Sequence, residues 1–161
     1  FDNALGIYEV TADGSFVDTE IVFGSTATGG LQTVVQDVGA GNTLGFFIVQ
    51  DGADFAGNLA VSDSLSFVTE DGSAASLSGG VAKLAVNGVM SDEVVFHSLN
   101  AALNEDGVQH AVSGVDPGGA SITVGFEDLL GGGDGPVEQV DHRLAKVVQR
   151  RAVRHSLLAC G

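Results

Sequence analysis

Basic side chains are almost missing from this chain, in which Lys83 is the single lysine or arginine before Arg143. All twenty-one Asp and Glu lie in residues 1–141, so that stretch carries 1 − 21 = −20, and five basic residues from Arg143 to Arg154 bring the total to −15. A body this acidic repels nucleic-acid phosphates and anionic lipid headgroups, which excludes both as its partners and makes cations its natural counterpart. Cysteine is absent before Cys160, which excludes a disulfide framework and a cysteine metal site. Tryptophan is absent and Tyr8 is the single tyrosine, so an aromatic platform for stacking sugars is poorly supplied. No apolar run approaches the roughly eighteen residues of a membrane-spanning helix. The chain begins at Phe1, without methionine or a signal segment, and reads as a piece of a longer protein.

What is abundant is glycine, 24 residues of 161, which together with period-two alternation describes one turn-rich β domain. Val17, Thr19, Ile21 and Phe23 share one face of a strand, with Asp18 and Glu20 on the other. Similar segments are Leu5 to Val10, Leu31 to Val38, Leu65 to Val68, Ala82 to Val86, Val94 to Phe96 and Ile122 to Phe126. Leu44 to Val49 is nearly continuous in apolar residues, as a strand covered on both faces requires. Asp13-Gly14, Asp51-Gly52, Asp71-Gly72, Asn87-Gly88 and Asp106-Gly107 are turn signals. The pattern predicts an all-β fold, a two-sheet β-sandwich or jelly roll of about eight to ten strands, over residues 1–136. No internal repeat of the β-solenoid kind is evident.

From Val137 the pattern changes. Val140, Leu144, Val147 and Val148 fall at helical spacing, which makes the basic tail, 137–161, a short C-terminal helix or a disordered appendage. The breaks in charge and in pattern coincide near Asp134, as they would at a frameshift or recombination junction.

Three acidic turns offer hard oxygen ligands of the kind Ca²⁺ takes. Glu127, Asp128 and Asp134 flank the turn Gly131-Gly132-Gly133, which can fold three acids together. Asn104, Glu105 and Asp106 precede Gly107 either as the first half of a calcium loop or as an Asx-turn between strands. Asp51 and Asp54 bracket Gly52 in a third such turn. His97 and His110 lack a recognised zinc spacing, no G-x-S-x-G elbow accompanies them, and the adjacent Glu127 and Asp128 would point to opposite faces of a strand, unsuited to a glycosidase.

Gly45-Phe46-Phe47-Ile48-Val49-Gln50-Asp51-Gly52, Val95-Phe96-His97-Ser98, Asn104-x-Asp106-Gly107-Val108-Gln109-His110 and Gly125-Phe126-Glu127-Asp128 before Gly131-Gly132-Gly133-Asp134 follow one another in order. Over Leu5 to Asp134 the chain resembles the bacterial secreted-protein family called domain of unknown function 4114, often found beside calcium-binding RTX-type repeats or adhesin modules. The resemblance implies calcium ligands at Glu127, Asp128 and Asp134, with Asn104, Asp106 and Asp51 or His110 nearby. It departs from the family where further loop acids would stand, since Pro136 and Gln139 occupy those positions. The expected function is a non-catalytic, calcium-stabilised module of a secreted bacterial protein, structural or adhesive, whose partners are other domains of the parent protein or a cell-surface glycan. A calcium-dependent carbohydrate-binding module is the alternative, and a hydrolase using His97 or His110 a third.

Overall fold

The computed structural model describes residues 2–27, 33–115, 117, 121–132 and 143–149, with backbone alone at 33–36, 132 and 143–149. In chain order the strands are β1 (Ala4–Val10), β2 (Phe16–Phe23), β3 (Thr33–Gln36), β4 (Thr43–Val49), β5 (Leu65–Val68) and β6 (Lys83–Val86). Then follow β7 (Val89–Met90), β8 (Val95–His97), β9 (Ala111–Val115), β10 (Ser121–Phe126) and β11 (Arg143–Gln149). One short helix, α1 (Ala53–Asn58), follows β4. The strands form three sheets, ordered β2-β1-β4-β8, β3-β11-β10-β9 and β5-β6-β7. Their neighbours are antiparallel except for β3 beside β11.

The first sheet is the middle layer because its inner strands are apolar on both faces. Ala4, Tyr8, Val10, Phe47, Val49 and Val95 point to one side, against Phe67 of β5, Leu84 of β6 and Leu103. Leu5, Ile7, Phe46, Ile48 and Phe96 point to the other, against Ala111, Val124 and Phe126 of β9 and β10. Burying each large apolar side chain contributes about 1.5–3 kcal/mol, so neither face of this sheet can be left wet. The all-β sandwich expected from the sequence is present, with a third sheet where two were expected.

A correction falls on the basic tail. Arg143–Gln149 is not a helix but strand β11, which pairs antiparallel with β10 from Phe126↔Arg143 to Ser121↔Val148 and parallel with β3. An isolated helix of this length lacks packing to hold it, whereas a place between β10 and β3 pairs backbone groups on both sides of the strand.

Two glycines let the middle sheet close. Gly6 stands opposite Phe47, and Gly45 opposite Tyr8. Each aromatic ring lies over the opposite glycine, so a Cβ would come within 2.2 Å of Phe47 at Gly6 and 2.4 Å of Tyr8 at Gly45. Tyr8, Phe16, Phe47, Phe67 and His97 then meet edge-on or tilted. The Tyr8 hydroxyl is buried near Ser98 and Leu99 without a well-formed hydrogen bond, and burial raises its phenol well above the ordinary range.

A short internal motif also emerges. Thr11-Ala12-Asp13-Gly14-Ser15 and Thr69-Glu70-Asp71-Gly72-Ser73 form the same loop, with glycine φ angles of 85° and 82°. In each, the Asp carboxylate accepts from the Thr hydroxyl and the Ser N–H. The two loops are neighbours, since Ser15 bridges to Ser76 and the Leu77 N–H donates to the Gly14 carbonyl.

His97 gives the fold a built-in acid sensitivity. Its Nε2 lies 3.0 Å from the Ala82 carbonyl and therefore carries the hydrogen, leaving the buried Nδ1 unpartnered. Burial lowers the ring to about 4, against an ordinary 6.5, an effect the Ala82 contact only partly offsets. The unfolded chain thus takes up this proton below about pH 6.5 and the folded chain only near pH 4, so stability falls as pH drops through that interval. The loss reaches about 3 kcal/mol and is absent above that window. Urea melts across the interval should show a shallower acid slope in His97→Gln than in the parent chain, and an equal slope would refute the assignment.

Candidate functional site: an acidic corner at the exit of β10

The loop before β9 repeats the motif above with Asn104 in the threonine position. Gly107 (φ 70°) donates to the Asn104 carbonyl at 3.0 Å, and the Val108 N–H donates to Asp106 Oδ1 at 3.0 Å. Of the two readings open at this loop, the structure forms the Asx-turn. Asn104 itself turns inward and is 1% exposed. Its Oδ1 accepts from the His97 N–H at 2.6 Å, while its Nδ2 donates to the carbonyls of Val108 at 2.6 Å and His97 at 3.4 Å. The side-chain amide stands in for a strand along the open edge of β8. Asn104, expected among the metal ligands, has both its side-chain oxygen and its nitrogen hydrogen-bonded within the fold.

Asp106 and His110 pin the next loop. His110 is buried and stacks on Phe96 with ring centroids 4.0 Å apart. Its Nδ1 lies 3.0 Å from the Glu127 carbonyl, and its Nε2 lies 2.9 and 3.1 Å from the two Asp106 oxygens. Both ring nitrogens face oxygen atoms. The Gly131 N–H also donates to Asp106 Oδ2, at 2.6 Å. Burial pushes the Asp106 carboxyl up, but the N–H groups of Gly131 and Val108, together with His110, outweigh it and lower the group to about 2. Asp106 therefore keeps little oxygen capacity for an external ligand.

A second group of acids gathers around Asn3, itself 1% exposed. The Asn3 amide donates to Asp128 Oδ2 at 2.6 Å and accepts from the Asp51 N–H at 2.8 Å. The Asp2 N–H donates to Asp51 Oδ1 at 3.3 Å, and Asp2 Oδ1 accepts from the Ser25 hydroxyl at 2.6 Å. The Gln50 side chain donates to the Asp128 carbonyl. Asp51 takes a left-handed φ of 51°, which turns the chain from β4 towards α1. The Asp51, Asp106, Glu127 and Asp128 of the sequence analysis are thus collected at the ends of β4, β9 and β10, whereas Asp134 lies outside the described residues.

Among the described residues, no three His, Cys, Asp or Glu side chains converge as ligands of a metal ion would. His97 and His110 pack against opposite faces of the middle sheet, His97 on Tyr8 and Phe67 and His110 on Phe96, so they do not share a site. Sequence reasoning missed Asp2, Asn3 and Gln50. Asn3 and Asp128 are 125 positions apart, and nothing local to either signals the contact. No family model matches the chain, and neither does any curated protein or solved structure.

Proposed function

We propose that this chain is a non-catalytic module of a larger secreted protein, structural or adhesive in role, whose acidic corner is stabilised by Ca²⁺. The observation that carries the reading is that Asp51 and Asp128 meet on the side chain of one buried asparagine, Asn3 accepting from the Asp51 N–H and donating to the Asp128 carboxylate, while the Asp51 carboxylate turns to the Asp2 N–H. Lys83, the only lysine or arginine before Arg143, is engaged elsewhere by Glu105 at 2.9 Å. Carboxylates so placed repel one another unless a cation joins them. Their hard oxygens suit Ca²⁺, although the described residues alone do not close a coordination shell of six to eight. Asp51 and Asp128 would hold the ion, and its charge would offset their repulsion.

Millimolar Ca²⁺ is expected to raise the melting temperature by about 5–10 °C over EDTA, equivalent to about 2–3 kcal/mol of binding to the folded state. Asp51→Asn and Asp128→Asn should each remove most of that rise, and Asp13→Asn, in the loop after β1, should leave it intact. No rise, or a rise unaltered by either corner variant, would sink the proposal.

A further inference from the structure

A sheet edge exposes unpaired backbone donors and acceptors, and proteins protect such edges with charge, bulges, short strands or covering segments. Five edge strands have described side chains, namely β2, β5, β7, β8 and β9. β2 carries Asp18 and Glu20 and has two register irregularities against β1. β5 is covered by the chain after Ser73, since Val68 bridges to Ala74 and the Ala75 N–H donates to the Phe67 carbonyl. β7 has only two residues, and β8 is capped by the Asn104 amide. Among the described residues, β9 has one polar cap, the Gln109 side chain on the Ala111 carbonyl, and none of these devices beyond it. Its five residues, Ala-Val-Ser-Gly-Val, carry no charge and no proline, and their register with β10 is unbroken. Residues 112–115 are exposed, Val112 and Val115 by 68% each.

We propose that β9 is a docking edge, onto which an extended, positively charged segment of another protein adds as a further strand of the β3-β11-β10-β9 sheet. Backbone hydrogen bonds would supply affinity and the two valines an apolar grip. Charge selects the occupant. Glu127 and Asp128 follow the β10 residue that pairs with Ala111, and the chain as a whole is at −15, while Glu105 in the loop before β9 is already paired with Lys83. The basic residues of the same sheet, Arg143 and Lys146, belong to β11, beyond β10. A second copy of so acidic a chain is repelled, and a cationic strand is attracted. This inference does not depend on calcium.

The test uses the intact chain and two capped octapeptides, one alternating Lys with Val and the other alternating Glu with Val. The Lys-Val peptide should bind at least tenfold more tightly and slow amide exchange across Val112–Val115. The double variant Val112→Lys with Val115→Lys should weaken it tenfold or more. Val61→Lys, which adds charge at a fully exposed site elsewhere, should change the affinity less than twofold. The melting temperatures of these surface variants, matching the parent's, establish that they fold. Failure of the Lys-Val peptide to bind, equal binding of the two peptides, unchanged affinity in the double variant, or self-association through β9 in place of peptide binding would each overturn the proposal.

Discussion

Replacing Asn104 with aspartate is expected to destabilise the protein by about 3–5 kcal/mol at neutral pH, although the two side chains differ by little more than one atom. The introduced carboxylate can still accept from the His97 N–H, but it places negative oxygen against the carbonyls of Val108 and His97, where the amide now donates. The position is 1% exposed, so water cannot soften the repulsion. Acidification, which protonates the introduced group and restores a donor, should recover part of the loss relative to the parent chain at the same pH. Denaturant titrations at pH 7 and pH 5 check both statements. A loss below 1 kcal/mol would mean that the amide is not the edge partner of β8.

Alanine at Gly6 is expected to cost about 3 kcal/mol or more, and alanine at Gly45 a similar amount, because overpacking inside a closed sheet leaves nowhere for the new methyl group to go. The two sites should respond differently to rescue. At Gly45 the three nearest obstacles all belong to the Tyr8 ring, whereas at Gly6 the backbone carbonyl of Glu20 stands 2.6 Å from the new carbon in addition to Phe47. Tyr8→Leu should therefore offset much of the Gly45→Ala loss in a double-mutant cycle, and Phe47→Leu should offset little of the Gly6→Ala loss. Equal rescue at both sites would contradict the role given to the Glu20 carbonyl.

The strands that alternate or run apolar over several residues were legible in the sequence, from Leu5–Val10 to Ile122–Phe126, because burial of one or both faces dictates residue type directly. β9 was not, since a strand of Ala, Val, Ser and Gly exposed beyond Ala111 carries no such imprint, and past that buried alanine its described contacts are the ladder with β10. β11 was misread because Leu144, Val147 and Val148 suit either period, and an available edge, which no local pattern records, decides between them. At the acidic corner the Asp-Gly turns were visible, but the partners of the acids were not. Asn3 and Gln50 act through contacts that span 125 and 78 positions, beyond any spacing rule.

The middle sheet has a consequence for how the protein comes apart. β1 and β4 wall both apolar cores, so one core cannot open without stripping half the lining from the other. The two should therefore melt as one cooperative unit, with amide protons of Leu5–Val10 and Phe46–Val49 exchanging only through global unfolding. The twin Asp-Gly loops and β9, attached to that wall from outside, should exchange many times faster.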